Sequence, residues 1–142
     1  MQAESRIAIE SDADVVTARQ RARELAGELE LSSTDQTLLA TAISEVARNI
    51  NHYATRGEVR LRVIRDSGGR EGIEVVASDD GPGIADIERA LQDGYTTGGG
   101  LGLGLPGARR LVDEFHIQSE PSSGTTVTLV MWGRNSGRSV RA

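Results

Sequence analysis

Three short motifs stand in a fixed order along this chain: Glu45-x-x-x-Asn49, then Asp79-x-Gly81-x-Gly83, then a glycine run closing as Gly100-x-Gly102-x-Gly104. The glycine run constrains the fold most. Six glycines fall at 98, 99, 100, 102, 104 and 107, and the chain then reads as a helix from about Leu103 to Glu114. Glycine-rich backbone leading into a helix N-terminus offers free N–H groups and the positive end of the helix dipole, which together suit phosphate. A flexible linker is the plain alternative, but Leu101, Leu103 and Leu105 at alternate positions are not linker composition. Gly102-x-Gly104-x-x-Gly107 also matches the dinucleotide fingerprint, with Glu120 at roughly the ribose-binding distance. That fingerprint should directly follow a strand, and Tyr95-Thr96-Thr97-Gly98-Gly99 is no strand.

Glu45 and Asn49 lie one helical turn apart. At about 100° per residue they fall at the edge of the apolar stripe of their helix. A carboxylate held against a core edge can act as a general base. The amide oxygen of Asn49 is a hard ligand suited to Mg²⁺, which keeps most of its waters. A solvated polar pair beside Arg48 is the other reading. Asp79 closes a strand, and its acceptor-only carboxylate can receive an exocyclic amine such as adenine N6, while Gly81 and Gly83 let a flat ring approach the backbone. The same five residues, Asp79 to Gly83, also fit an ordinary turn. Taken together in this order, the three motifs read as an Mg-ATP site with its own catalytic base.

Composition narrows the means. All sixteen basic residues are arginine, and lysine is absent. That removes the P-loop, the eukaryotic-type protein kinase and Schiff-base chemistry, each of which needs a lysine. Without cysteine there is neither a disulfide framework nor a thiolate metal site. A formal net charge of -5 argues against general nucleic-acid binding. No apolar run approaches a membrane span and the N-terminus lacks a secretion signal, so a cytoplasmic protein is expected.

The 142 residues fit one domain, expected over 1–132, with 133–142 as a flexible tail. Periodicity predicts a strand over 5–9, helices over 12–30 and 33–54, and strands over 58–65 and 72–78 joined by a turn at 67–70. Ser11 or Asp12 is expected to cap the first helix. A short helix near 86–92, an irregular stretch over 93–102, the helix over 103–114 and strands over 115–119 and 125–132 complete the chain. The expected fold class is α/β: a single sandwich of one mixed, mostly antiparallel sheet with helices on one face. Thr96 and Thr97 read either as a lid over phosphates or as plain loop. His52 is expected at the surface, and two separated histidines, His52 and His116, make no zinc site. Arg19, Arg21 and Arg23 form a cluster that reads as a solvated face or as a dock for an acidic partner.

The motif order, followed by Gly124-Thr125, resembles the gyrase, Hsp90, histidine-kinase and MutL (GHKL) ATPase superfamily over nearly all of residues 5–132. Within it the chain is most similar to the anti-sigma-factor type serine/threonine kinases, above all the stressosome switch kinases of RsbT type. The stretches that carry this are 42–50, 80–84, 99–107 and 110–115, with Leu105-Pro106-Gly107 more specific than the superfamily motifs. The resemblance implies a Bergerat-type ATP-binding fold, with ATP and Mg²⁺ as cofactors. Glu45 would be the general base and Asn49 the Mg²⁺ ligand. Asp79 would read adenine N6, beside Gly81 and Gly83. Gly100, Leu101, Gly102, Leu103 and Gly104 would hold the phosphates, and Thr125 would assist Asp79. The implied substrate is a STAS-domain protein, an anti-sigma antagonist or a stressosome scaffold, with a phosphatase or a sigma factor as further partner. A nucleotide-dependent binding switch with secondary kinase activity is the alternative. Length argues against gyrase, MutL and Hsp90 types. Residues 1–11 leave no room for the phosphoacceptor helices of a histidine kinase, and His52 stands where those enzymes usually carry Lys or Arg.

Overall fold

The computed structural model of the protein describes residues 4–54, 56–81, 104–120 and 124–133. The side chains of His52, Tyr53 and Glu120 lie outside that description, as do the expected helix at 86–92, Thr96, Thr97 and residues 134–142. The elements are β1 (Glu4–Ile9), α1 (Asp12–Glu28), α2 (Ser33–Tyr53), β2 (Gly57–Arg65), β3 (Glu71–Asp79), α3 (Gly104–Leu111), β4 (Glu114–Glu120) and β5 (Gly124–Trp132). The sheet order is β1-β2-β3-β5-β4.

Each strand alternates because one face is buried and the other is wet. In-facing residues line up across the sheet as rows, for example Ser5–Leu61–Val75–Leu129–Phe115 and Ile7–Val59–Ala77–Val127–Ile117. They join the apolar stripe of α2, where Leu39, Ala42, Ile43, Val46 and Ile50 are buried, and that of α1, where Val15, Ala18, Ala22, Leu25 and Ala26 are buried. Each fully buried aliphatic side chain contributes about 1.5–3 kcal/mol. α2 packs on both α1 and α3 and contacts β1, β2, β3 and β5, so it is the central helix of the covered face. The opposite face is a charged lattice: Arg62 meets Glu74 at 2.6 Å, and Arg60 meets Glu58 at 3.3 Å.

All described pairings are antiparallel, where the sequence suggested a mixed sheet. β3 and β4 do run parallel to one another through the segment containing α3. β5 is inserted between them and pairs antiparallel with both, so they form no parallel ladder.

Helix boundaries moved for local reasons. α1 stops at Glu28 and not at residue 30. Glu30 adopts φ 61, its N–H donates to Gly27 O and that of Leu31 to Ala26 O, a Schellman closure sealed by the buried Leu31. Ser11 is the N-cap residue, but its hydroxyl does not accept from the helix. The carboxylate of Asp14 takes both the Ser11 hydroxyl and the Glu10 N–H. α2 is capped in the ordinary way, Ser32 accepting from Asp35 N–H at 3.0 Å. α3 ends at Leu111, three residues short of expectation. Asp113 leaves the helix because its N–H donates to Val130 O and its carboxylate accepts Trp132 N–H. The β2–β3 turn forms as expected, with Gly69 at φ 86. Its organiser is Asp66, whose carboxyl is held below the ordinary carboxylate range chiefly by the Arg70 N–H, with the Gly68 N–H also contributing.

Candidate nucleotide site

At one end of the sheet the apolar in-facing rows give way to a different one: Ile9–Gly57–Asp79–Thr125–Ser119. On β2, β3, β4 and β5 the inward phase that carries Val59, Ala77, Ile117 and Val127 carries Gly57, Asp79, Ser119 and Thr125 one step further out. Three hydrogen-bonding side chains therefore stand side by side where the core would otherwise continue.

Asp79 is half-buried, and it belongs to β3, not to the loop that follows. Its Oδ1 accepts from Gly81 N–H at 2.8 Å and from Thr125 N–H at 3.3 Å. Two backbone donors fix the carboxylate, and Oδ2 has no partner among the described residues. Asp80 is committed elsewhere: its carboxylate takes Arg56 N–H at 3.3 Å and lies 3.6 Å from the Arg56 guanidinium. The strand phase thus separates two adjacent aspartates, turning the first toward the covered face. The Thr125 hydroxyl lies 2.8 Å from that of Ser119, and the Ser119 hydroxyl also donates to Gly124 O at 3.1 Å.

Two glycines make room for this row. Gly124 has φ +89, and a Cβ there would run into the carbonyl of Asp79. At Gly57 a Cβ would lie 2.8 Å from Cγ2 of Ile50 and 3.0 Å from Cα of Asp79. Gly57 is therefore where α2 bears directly on the sheet beside Asp79. Gly57→Ala is expected to destabilise the fold by about 1–3 kcal/mol, the usual scale of overpacking. It should also weaken any ligand held by Asp79. Urea unfolding with a matched titration of ligand measures both effects.

Ile50 also links the row to α2, because Asn49 precedes it and Glu45 stands one turn before Asn49. Both are half-buried at the edge of the helix stripe, as the spacing requires. The Glu45 side chain is 12% exposed and meets Arg48, 53% exposed, at 3.3 Å. A carboxylate so placed can accept a proton from a group at the rim, and the Asn49 amide oxygen can face a hydrated cation. Among the described residues no cluster of three or more His, Asp or Glu could hold a metal by itself. Gly104 opens α3, whose buried Leu105 and Ala108 face the α2 side of the core. Pro106 sits in the first turn of α3, where a missing N–H costs nothing.

The structure thus brings together Asp79, Gly81 and Thr125, and places Glu45 and Asn49 on α2, whose Ile50 reaches Gly57 beside Asp79, and Gly104 at the start of α3, which packs on α2. Gly83, Gly100, Leu101, Gly102 and Leu103 lie outside the described residues. Sequence reasoning missed Gly57 and Ser119. A signal for both existed: each is the non-apolar residue that extends an alternating apolar phase at a strand end. The arginine cluster is only partly a free face, since Arg21 donates to Ser5 Oγ at 2.9 Å and pairs with Glu24 at 2.8 Å.

Comparison with known proteins identifies the family of the chain. The model of the histidine kinase-, DNA gyrase B-, and HSP90-like ATPase family matches residues 34–134. The serine/threonine-protein kinase RsbT of Bacillus subtilis is 43% identical over 134 residues, covering 94% of this chain and all (100%) of the relative. An anti-sigma F factor of Caldanaerobacter subterraneus is 31% identical over 101 residues, covering 68% of this chain and 71% of its own length. A crystal structure of the RsbU and RsbW domains of a Mycobacterium tuberculosis protein aligns with a TM-score of 0.61 at 24% identity, covering 99% of this chain and 35% of that one.

Proposed function

Because the chain belongs to the histidine kinase-, DNA gyrase B-, and HSP90-like ATPase family and is a serine/threonine-protein kinase, akin to RsbT and to anti-sigma factors, we propose that it transfers the γ-phosphate of Mg-ATP to a hydroxyl of a STAS-domain partner. The observation that carries this reading is the in-facing Asp79–Thr125–Ser119 row at the end of the sheet where Ile50, on the helix that bears Glu45 and Asn49, comes against Gly57 beside Asp79. An adenine amino group meets Asp79 Oδ2 at one end of the site, and the acceptor hydroxyl meets Glu45 at the other. Gly100, Leu101, Gly102, Leu103 and Gly104 wrap the phosphates between them, and Gly83 flanks the base.

The donor set fits Mg²⁺. One hard amide oxygen, from Asn49, with no carboxylate cage among the described residues, suits an ion held mostly by water and phosphate. Bound Mg²⁺ supplies neutralisation of phosphate charge. The chain's own residues do the rest. Asp79 orients the base, and the α3 N-terminus at Gly104 faces negative charge. Glu45 takes the proton of the incoming hydroxyl. Most of the acceleration in such a reaction comes from positioning and electrostatics. The catalytic unit spans residues 1–132, and no role is assigned to 133–142. Among the described residues no helix is long and apolar enough to cross a membrane, and we place the kinase in the cytoplasm.

The test is intact-mass spectrometry of a STAS-domain protein encoded beside this chain, after incubation with the chain and Mg-ATP. A gain of one phosphate, lost when EDTA is present, is the expected result. An unmodified partner under conditions where ATP binds would contradict the substrate assignment. The similarity to an anti-sigma F factor favours one second reading, a nucleotide-dependent switch that binds a sigma factor or activates a phosphatase with transfer as a secondary activity. A sigma-factor pull-down with and without ATP separates the two.

A further inference from the structure

Ser119 is not part of the motif set, yet it settles which way a proton points at the base-binding end of the site. A serine hydroxyl has one proton. That of Ser119 is spent on Gly124 O, at 3.1 Å. The 2.8 Å contact between the Ser119 and Thr125 hydroxyls must then be made with the Thr125 proton, Thr125 donating and Ser119 accepting. Thr125 is left with lone pairs alone toward the rest of the site. Its neighbour Asp79 is acceptor-only as a carboxylate, and its Oδ1 is already held by Gly81 N–H and Thr125 N–H. Both functional groups that face the ligand therefore accept and neither donates.

We propose that Ser119 is a specificity-determining positioning residue: by taking the Thr125 proton it makes the Asp79–Thr125 wall select a purine with a 6-amino group over one with a 6-oxo group. This rests on the reading of that wall as the base-binding end of the nucleotide site. The selection holds whether contact is direct or through water. A water that donates one proton to Asp79 and the other to Thr125 has only lone pairs left, and so accepts from an amine and rejects a carbonyl. Without Ser119 the Thr125 hydroxyl can rotate and donate, and the wall then serves either ligand.

The geometry separates this role from plain strand support. Ser119 sits in the inward phase of β4 after Phe115 and Ile117, where an apolar residue would satisfy the packing. A threonine at the same position retains the hydroxyl and suits a strand.

The experiment is calorimetric titration of the full chain with ATP and with inosine triphosphate, which carries a 6-oxo group and an N1 proton in place of the 6-amino group and bare N1 of ATP. Wild type, Ser119→Ala and Ser119→Thr are compared, with a thermal melt of each to establish folding. Expected is a clear wild-type preference for ATP, a fall of about three- to tenfold in that preference for Ser119→Ala, the scale of one neutral hydrogen bond, and recovery in Ser119→Thr. A folded Ser119→Ala that loses affinity for both nucleotides equally, or for neither, overturns the proposal and leaves Ser119 a strand residue. A wild type that binds ATP and inosine triphosphate alike would overturn the base-binding reading itself. If Ser119→Ala does not fold, the threonine variant still decides: loss of the preference with the hydroxyl kept contradicts the assignment.

Discussion

Glu45→Gln is expected to slow phosphate transfer to the partner about 10²- to 10⁴-fold, the range that a positioned general base contributes. Glutamine has the shape of glutamate and is a good helix former, so α2 keeps its packing against β2 and β3. It cannot take a proton from the attacking hydroxyl. The variant also weakens the contact with Arg48 at 3.3 Å, but the glutamine amide oxygen still offers an acceptor to that 53% exposed guanidinium. The melting temperature should therefore barely move and ATP should still bind. Rapid-quench measurement of partner phosphorylation under saturating ATP isolates the transfer step. A variant that transfers at the wild-type rate would remove Glu45 from the chemistry.

The second large effect is expected for Asp79→Asn, and it falls on binding. The asparagine oxygen can keep the N–H groups of Gly81 and Thr125, which Asp79 Oδ1 now holds at 2.8 and 3.3 Å. The amide nitrogen must then take the place of Oδ2 and point a donor at the donor amine of adenine. Loss of a charge-assisted hydrogen bond costs about 1.5–3 kcal/mol, so ATP affinity should fall about ten- to a hundredfold. The fold should persist, because its backbone partners are retained. Inosine triphosphate, whose carbonyl welcomes a donor, should lose far less than ATP. Calorimetry with both nucleotides and a thermal melt checks this. An Asp79→Asn protein with wild-type ATP affinity would mean that the carboxylate faces something other than an adenine amine.

Much of the scaffold is legible along the chain, because it depends on local period. Val59, Leu61 and Val63 alternate, and Leu39, Ala42, Ile43, Val46 and Ile50 repeat at helical spacing; both patterns became the elements they suggest. Glu45 and Asn49 could be placed at a helix edge from angle alone. The strand order could not be read this way. That β5 enters between β3 and β4 is decided by pairing between distant segments, and this insertion is what removed the parallel ladder. Helix ends also shifted where a tertiary partner competed, as when Val130 O drew Asp113 out of α3.

The candidate site divides in the same way. Asp79 and Gly81 were visible as a motif. Gly57 was harder to see, since its one local mark is that it extends an alternating apolar phase at a strand end. Its requirement comes from the Ser78 carbonyl and Asp79 on β3 and from Ile50 on α2, which reach it only in the folded protein. Ser119 was hard to see for a related reason. Its importance lies in register, because it stands opposite Thr125, which stands opposite Asp79. The inward strand phase was available as a clue, but its value appears only once several strands are seen to run out of apolar residues at the same end of the sheet.

The most direct measurement is a crystal structure of the protein with a non-hydrolysable ATP analogue and Mg²⁺. If Asp79 and Glu45 mark the two ends of one site, the adenine amino group will lie within hydrogen-bond distance of the Asp79 carboxylate. The γ-phosphate will lie on the Glu45 side of α2, with Asn49 on the metal. A nucleotide bound elsewhere, or bound with its phosphates over the Asp79–Thr125–Ser119 row, would contradict the assignment of both ends at once.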